Sequence, residues 1–373
     1  MESQSLAVAS CTNVNPARTV ADIEKMGMAK LSPGPRFYYS MGADEERTLA
    51  ENMQAFKGLR LLPRLLRGVV NRSLETVLLG QRVSLPVGIS PTAFHKVAHP
   101  DGEAATARAA AKAGTVMIVS ISSTTSLEDV REAAPNALLW FQLCIFADRT
   151  ITHRLVRRAE EAGYSAIVYA ADIPVGGSNS EKFGDFLKDY MEDLGFANFR
   201  DEDVASTGGK FQSRLVMNPE STWSDVAWLK SITKLPLVVK GILTVEAAIQ
   251  AVEHGASAIM VSNHGGRQLD CVPATIDVLP GIVRAVGHRC EVYVDGGVRL
   301  GTDVVKAIAL GARAVFVGRP ILYGLAYRGE EGVVRVLDIL RAETDRAMAL
   351  MGCRCVSELH TDMVVRLERI SKL

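Results

Sequence analysis

The sequence predicts an α/β fold, a (β/α)8 TIM barrel with a long lid-like insertion after its fourth strand. Eight short apolar runs rich in β-branched residues alternate with longer segments that have helical spacing. Near-continuous apolarity is typical of parallel strands that are buried on both faces. A doubly wound sheet stays open as an alternative, but eight successive strand and helix units favour closure into a barrel.

The predicted strands share this apolar character and follow one another as LPVGISPTA (85–93), VMIVSISS (116–123), LLWFQLC (138–144), AIVYAAD (166–172), LPLVVKGI (235–242), AIMVSNHG (258–265), EVYVDGGV (291–298) and AVFVGRP (314–320). The segments between them, such as DGEAATARAAAKAG and TVEAAIQAVEHGA, are amphipathic or rich in alanine. Several begin at Asp or Thr and end at Gly, as capped helices do. We therefore predict a barrel core at about 85–325 within one domain that spans residues 1–373.

One connection is much longer than the others, over about 176–222. Long loops inside compact domains are usually functional covers or irregular insertions. The charged, glycine-bearing sequence of this segment fits a cover over the barrel mouth and a plain surface insertion equally well, so both interpretations stay open.

Composition limits the class of protein. The chain has 373 residues, and Lys plus Arg and Asp plus Glu both total 42, so no overall charge favours nucleic acid or an anionic membrane. No window reaches the roughly 18 apolar residues of a membrane span, and the N-terminus lacks the pattern of a secretory signal. We expect a soluble protein that acts on a small molecule.

The cysteines and the C-terminus carry two further signals. The cysteines are few and scattered, which fits reduced thiols, and the pair in GCRCVS lacks the spacing and second half of a zinc site, so no metal is predicted. The last residues, Ser371, Lys372 and Leu373, form the S-K-L address that the peroxisomal import receptor reads. A polar tail without function is the alternative.

Basic and acidic side chains follow several predicted strands, where the chemistry of such barrels is found. The stretch SNHGGRQLD places His264 and Arg267 after the sixth strand, and Asp172 ends the fourth. Imidazole can take a proton, guanidinium can hold a carboxylate at two points, and a carboxylate can orient and charge-stabilise the imidazole. Lys240, inside an apolar strand, needs an anion or an electron-rich ring as its partner.

The last two strands predict a phosphate site. The sequences DGGVRLGTD and VGRP each combine glycine with arginine, and the loops after strands seven and eight form the usual phosphate site of these barrels. Glycine lets backbone amides approach an anion closely, and arginine offers a planar fork to phosphate oxygens. A phosphate-bearing ligand is therefore expected here.

The chain from about Tyr38 to Cys353 resembles the FMN-dependent α-hydroxy acid oxidases, the family of glycolate oxidase, and most closely the animal hydroxyacid oxidases. The matching stretches are long: FYYSMGADEERTLAEN, PTAFHKVAHPDGE, WFQL, LPLVVKGILT, SNHGGRQLDCVPATIDVLP, DGGVRLGTDVVKA and AVFVGRPILYGLA. The resemblance implies oxidation of a 2-hydroxy acid to a 2-oxo acid with FMN as cofactor and O2 as electron acceptor, which yields hydrogen peroxide. It also suggests a homotetramer or larger homo-oligomer, and it adds weight to a peroxisomal location.

The resemblance also implies roles for individual residues. His264 would be the catalytic base with Asp172 in support, while Arg267 and Tyr38 would bind the substrate carboxylate. The residues expected to bind FMN are Thr92, Ala93, Ser120, Gln142, Lys240, Ser262, Asp295, Gly296, Gly297, Arg299, Gly318 and Arg319.

Four positions depart from the family pattern. Cys144 stands where the family carries a tyrosine, Asn179 replaces an arginine, Ala170 a threonine and Ser122 a tryptophan. Tyr38, Ser122, Cys144, Asn179 and Arg267 therefore make up the predicted substrate pocket. The departures fit a substrate bulkier than glycolate. The alternatives are an FMN-binding protein with lost or altered oxidase activity and a flavin dehydrogenase that uses an acceptor other than oxygen.

Overall fold

Eight parallel strands close into a barrel in the computed structural model, which describes residues 17–177, 195–199 and 218–372. We number these strands along the chain as β1 (Val87–Ile89), β2 (Val116–Ser120), β3 (Leu138–Leu143), β4 (Ile167–Ala170), β5 (Leu237–Ile242), β6 (Ala258–Val261), β7 (Glu291–Asp295) and β8 (Ala314–Val317). Each strand pairs with the next in sequence, and β8 pairs with β1. The predicted TIM barrel is confirmed.

A helix follows each strand and covers the outside of the barrel. In chain order these helices are Gly102–Ala113, Leu127–Ala133, Arg149–Glu161, Trp223–Ser231, Val245–Glu253, Thr275–Val286, Gly301–Ala309 and Arg319–Leu350. Side chains cap several of them: Ser126, Asp148 and Thr244 each accept a backbone N–H of the first turn. The last helix is interrupted at Arg328 and Gly329, where the backbone leaves the helical conformation.

Alternate residues of each strand belong to two different hydrophobic layers. One set, which includes Val116, Ile118 and Trp140, fills the barrel interior, while the intervening Met117 and Val119 pack beneath the helices. Both layers are apolar because parallel strands are buried on both faces. The continuous apolar runs of the sequence follow from this arrangement.

Further elements surround the barrel, and a hairpin closes its N-terminal end. The hairpin of Thr76–Leu78 and Gln81–Val83 contributes Leu78 to the interior cluster, and Leu79 donates its N–H to Glu291 at the start of β7. The chain also forms the helices Val20–Lys30, Pro33–Ser40 and Arg47–Lys57, the paired strands Leu59–Leu61 and Val364–Arg366, and the short 3-10 turns His95–Val97, Val356–Glu358, Thr361–Met363 and Leu367–Lys372.

Most of the predicted insertion lies outside the described residues, which leave out 178–194 and 200–217. The interpretation of this segment as a cover therefore stays a prediction. The described piece 195–199 is held by Asn198, whose side-chain amide donates to the carbonyl of Ile121 at 2.9 Å and accepts from the N–H of Leu127 at 2.9 Å. This piece is thus packed against the β2 end of the barrel. Among the described helices, none combines the length and the apolar character that crossing a bilayer requires.

Trp140 tests the packing of the barrel interior. Its side chain is fully buried beside Tyr293 and Phe316, with ring centroids 5.5 and 5.8 Å away. We expect Trp140→Ala to lower the free energy of unfolding by about 3–5 kcal/mol in urea titrations, because the deletion leaves a cavity. The control Leu65→Ala removes a side chain that is 80% exposed, and it should change stability by less than about 0.5 kcal/mol. Equal losses in the two variants would contradict this account of the core.

Candidate active site

A cavity of about 360 Å³ opens at the C-terminal ends of the barrel strands. Most of the predicted site residues line it: Tyr38, Thr92, Ala93, Ser120, Ser122, Gln142, Cys144, Lys240, His264, Arg267, Asp295, Gly296, Gly297, Arg299, Gly318 and Arg319. Asp172 and Ser262 lie behind this wall, and Asn179 lies outside the described residues. The described part of the chain holds no group of three or more His, Cys, Asp or Glu side chains that could bind a metal ion.

His264, Asp172 and Lys240 form one cluster. The Nδ1 atom of His264 lies 3.0 Å from Oδ2 of Asp172, and Nζ of Lys240 lies 3.4 Å from the same oxygen. Asp172 follows β4, Lys240 is inside β5 and His264 follows β6, so neighbouring strands deliver the three groups to one point. The bond at Nδ1 leaves Nε2 of His264 as the nitrogen available for a substrate proton.

The backbone of His264 has an unusual conformation that aims its side chain. Its φ is +56°, in the left-handed region that few residues other than glycine, Asn and Asp adopt readily. The N–H of His264 donates to the hydroxyl of Ser262 at 3.1 Å, and this hydroxyl holds the turn. Ser262 is fully buried and supports the histidine turn, and its predicted contact with the cofactor stays a prediction.

Charge is balanced within the cluster. Burial alone raises the pKa of the Asp172 carboxyl, but the neighbouring Lys240 and His264 outweigh it and hold the pKa well below its ordinary value. Burial likewise acts against the charge of Lys240, and the carboxylates of Asp172 and Asp295 more than offset it, so that the pKa of Lys240 is raised. The cluster therefore keeps a carboxylate and an ammonium, and this carboxylate can stabilise an imidazolium.

Arg267 and Tyr38 lie together on the cavity wall. The guanidinium of Arg267 is 4.7 Å from the centre of the Tyr38 ring, and NH1 donates to the carbonyl oxygen of Tyr38 at 2.7 Å. Guanidinium has five N–H donors in a planar fork, so these contacts leave donors for an anion. Burial raises the pKa of the Tyr38 hydroxyl, although Arg267 opposes the shift, so the phenol stays a neutral hydrogen-bond donor.

The loops after β7 and β8 form the predicted phosphate end of the cavity. Nε of Arg299 is buried and has no hydrogen-bond partner among the described residues. The helix that begins at Arg319 directs its first backbone N–H groups toward the same region, as in other anion sites at helix N-termini. The unpartnered donor of Arg299 and the N-terminus of this helix form a donor set that fits a phosphate.

Arg319 and Gly297, two residues predicted to bind the phosphate, also make contacts within the protein. Arg319 donates to the carbonyl oxygens of Tyr39, Met41 and Gly265, each at 2.9 Å, so its fork is not open toward an anion in this structure. Burial, reinforced by the nearby charge of Arg267, lowers its pKa to about 10. Gly297 is required by packing, because a Cβ there would lie 2.0 Å from the carbonyl oxygen of Asn52.

Ser120, Gln142 and Cys144 form a polar chain on the wall between β2 and β3. The Ser120 hydroxyl donates to Oε1 of Gln142 at 3.2 Å, and Nε2 of Gln142 lies 3.7 Å from Sγ of Cys144. The thiol is 6% exposed, and burial together with the charge of Asp172 raises its pKa to about 12. Cys144 is therefore a neutral, weakly polar surface of the cavity.

Sequence reasoning missed residues that the structure places at the site. Gln268 lines the cavity and donates to the carbonyl oxygens of Asp172 and Val175, each at 3.1 Å, which ties the β4 loop to the β6 loop. Phe199 lines the cavity from within the long insertion. Gln268 belongs to the stretch SNHGGRQLD, and this position could have indicated a place at the site. Nothing in the sequence around Phe199 indicated that it lines the cavity.

Comparisons with known proteins point in one direction. A profile of the FMN-dependent dehydrogenase family matches residues 28–366. The chain is 47% identical to 2-hydroxyacid oxidase 1 of Mus musculus, covering 92% of this chain and 95% of that protein. It is 46% identical to a peroxisomal (S)-2-hydroxyacid oxidase of Arabidopsis thaliana, covering 87% and 91%. Among solved structures, a mandelate oxidase variant with (S)-mandelic acid is 38% identical, with a TM-score of 0.83 over 92% of this chain and 97% of that one.

Asp172→Asn tests the charge balance of the cluster. The change leaves buried Lys240 without its nearest anion, so we expect a loss of about 3–5 kcal/mol in the free energy of unfolding at neutral pH. Because the pKa of Asp172 is depressed in the folded state, its contribution is complete above the ordinary value of 3.8 and is lost as pH falls further. In denaturant titrations, the difference in unfolding free energy between wild type and Asp172→Asn should therefore be constant from about pH 8 to about pH 5. It should become smaller in stronger acid.

Asp362→Asn is the matched control, since that side chain is 95% exposed. It should leave stability unchanged at every pH. A difference in unfolding free energy between wild type and Asp172→Asn that grows in acid would contradict the charge balance assigned to the cluster.

Labelling tests the environment of Cys144. Thiolate is the reactive form of cysteine, and a pKa of about 12 leaves almost none of it at neutral pH. With iodoacetamide at neutral pH, peptide mass spectrometry should show Cys144 labelled at least about a hundredfold more slowly than an exposed cysteine. Exposed Cys271 serves as the internal reference. Matched rates at the two positions would exclude a buried, protonated thiol at Cys144.

Proposed function

Because the chain belongs to the FMN-dependent dehydrogenase family, we propose that its cavity binds FMN and a 2-hydroxy acid and oxidises that acid to a 2-oxo acid. The family and its FMN cofactor follow from the comparisons, as does the type of enzyme, an (S)-2-hydroxy acid oxidase-like flavoenzyme. The substrate, the electron acceptor and the roles of individual residues are the proposal.

The contact of 3.0 Å between His264 and Asp172 is the observation that carries the mechanism. Oxidation of a 2-hydroxy acid requires removal of a proton from the substrate, and Nε2 of His264 is the base at the cavity surface. Asp172 orients the ring through Nδ1 and stabilises the imidazolium that results. Lys240, which shares the same carboxylate oxygen, limits how far Asp172 can move toward the ring.

Arg267 and Tyr38 would hold the substrate. A guanidinium binds a carboxylate through two parallel hydrogen bonds, and the Tyr38 hydroxyl can add a third. The ring of Tyr38 supports the guanidinium from one face. Together they fix the carboxylate so that the carbon bearing the hydroxyl lies near His264.

The residues present would hold FMN along the opposite wall. Arg299 and the backbone amides after β7 and β8 would bind its phosphate, and Lys240, Ser120 and Gln142 would face its ring. When bound, FMN supplies the acceptor for the two electrons that leave the substrate. The chain's own part is to exclude water, orient both ligands and move the proton.

A substrate with a sizeable apolar side chain fits the cavity best. Cys144 and Ser122 replace larger side chains of the family pattern, and both line the cavity. Phe146, Phe199 and Ile173 add an apolar surface beside them. The likeness to a mandelate oxidase that binds (S)-mandelic acid supports aromatic 2-hydroxy acids as candidates.

Oxygen as acceptor and a peroxisomal location complete the proposal. Relatives named as 2-hydroxyacid oxidases support oxygen, which would be reduced to hydrogen peroxide. The name of the Arabidopsis relative and the tripeptide Ser371, Lys372 and Leu373 support import into peroxisomes by the receptor for that signal. The expectation of a homo-oligomer remains a prediction.

An anaerobic flavin-bleaching screen tests this function. Purified holoenzyme is mixed with glycolate, long-chain and aromatic (S)-2-hydroxy acids, and loss of flavin absorbance is followed in wild type and His264→Asn. Asn tolerates the left-handed backbone at this position and can replace Nδ1 toward Asp172, but it has no base at Nε2. We expect bleaching by acids larger than glycolate in the wild type, and a rate in the variant lower by roughly 10²–10⁴-fold.

Readmission of air then identifies the acceptor. One peroxide formed per flavin reoxidised would support an oxidase, and slow reoxidation that a quinone accelerates would identify a dehydrogenase instead. A flavin that stays oxidised with every acid would favour a binding protein that has lost its activity.

A further inference from the structure

A second histidine, His95, connects the protein core to the cavity wall. It is 1% exposed, and both of its ring nitrogens lie within hydrogen-bond distance of a threonine hydroxyl. Nε2 is 2.6 Å from Oγ1 of Thr92, which lines the cavity, and Nδ1 is 3.0 Å from Oγ1 of Thr106 in the helix Gly102–Ala113. The ring therefore bridges a cavity residue and a core residue.

The buried carboxylate of Glu103 fixes the position of His95. Oε1 of Glu103 accepts the backbone N–H of His95 at 3.0 Å and that of Thr124 at 2.9 Å. The hydroxyls of Thr124 and Thr125 donate to Oε2, each at 2.8 Å. One carboxylate thus joins the loop after β1 to the loop after β2, and His95 has little freedom to move.

The contacts of Thr106 favour one placement of the proton on the His95 ring. Burial lowers the pKa of His95 although the charge of Glu103 opposes this, so the ring is neutral, with one donor and one acceptor nitrogen. Oγ1 of Thr106 lies 3.4 Å from the carbonyl oxygen of Gly102, which can only accept. If Thr106 donates to Gly102, it accepts from Nδ1, and Nε2 of His95 is left to accept the hydroxyl proton of Thr92.

We propose that His95 is a positioning residue for the cofactor, which turns the Thr92 hydroxyl so that only oxygen lone pairs face the cavity. Thr92 would then accept a hydrogen bond from an O–H or N–H group of FMN. This inference rests on the proposed placement of FMN in this cavity. It assigns a role to His95 beyond that of a core side chain whose polar atoms are merely satisfied.

Two amide variants of His95 separate these roles. A Gln side chain reaches the position of Nε2 and can accept from Thr92, whereas an Asn side chain reaches only the position of Nδ1 and can bond only Thr106. Both are uncharged and smaller than the ring, so they differ mainly in which hydrogen bond survives. Thr92→Val removes the hydroxyl at the cavity while keeping the shape of the side chain.

The measurement is the dissociation constant of FMN, taken from the rise in flavin fluorescence as full-length holoenzyme is diluted. We expect Thr92→Val and His95→Asn each to raise this constant by roughly three- to tenfold, as the loss of one hydrogen bond predicts. His95→Gln should stay within about twofold of wild type. The double variant His95→Asn with Thr92→Val should be no weaker than Thr92→Val alone, because both changes remove the same contact.

Two results would overturn the proposal. The first is equal weakening of FMN binding by His95→Gln and His95→Asn, which would show that His95 acts through the fold. The second is a double variant whose loss of affinity is the product of the two single losses. If His95→Asn does not fold, Thr106→Val replaces it: it frees the Nδ1 proton, so it should weaken FMN binding alone but add nothing to Thr92→Val. An additional loss in that pair would also overturn the inference.

The outcome is distinguishable from failure of the proposed function. A wild-type holoenzyme that no 2-hydroxy acid bleaches would refute the substrate proposal, while the order of FMN affinities would still decide the role of His95. A wild type that binds no FMN would overturn both.

Discussion

In a closed barrel of parallel strands, alternate side chains of each strand face the interior and the surrounding helices, and the candidate site depends on this alternation. Along β2 the interior positions are Val116 and Ile118, and the next is Ser120; along β5 the interior Val238 precedes Lys240. The interior is therefore apolar in its lower layers and polar in its top layer. A shift of one residue in any strand would move its polar group beneath the helices, so the packing that stabilises the barrel also specifies the site.

Within that frame, electrostatics decides which groups can do chemistry. One oxygen of Asp172 faces both Lys240 and His264, and its charge makes burial of the lysine tolerable. Loops then refine the geometry: the left-handed turn at His264 is held by Ser262, and Gln268 ties two loops together. The barrel supplies position, while hydrogen bonds outside the strands supply orientation.

The barrel and most of the site were predictable because their signals are local. Apolar runs mark strands, and polar residues just beyond a run must share one end of the barrel. The direction of individual side chains was not predictable from local sequence. Arg319 donates to three carbonyl oxygens and Ser262 supports a turn, and both contacts depend on how the loops fold. His95 lies within a stretch that carried the family resemblance, but its role depends on Thr106 and Glu103, which only the folded helix brings near.

The filled lower half of the barrel limits the routes by which small molecules reach the cavity. Trp140, Tyr293 and Phe316 and the hairpin below them occupy the interior under the cavity, so small molecules reach His264 from the opposite end. In the part of the chain that the structure describes, ligands therefore enter and leave through the mouth at the C-terminal ends of the strands. In the proposed reaction, the departing 2-oxo acid and the arriving 2-hydroxy acid would use the same opening, so the product would have to leave before the next substrate binds.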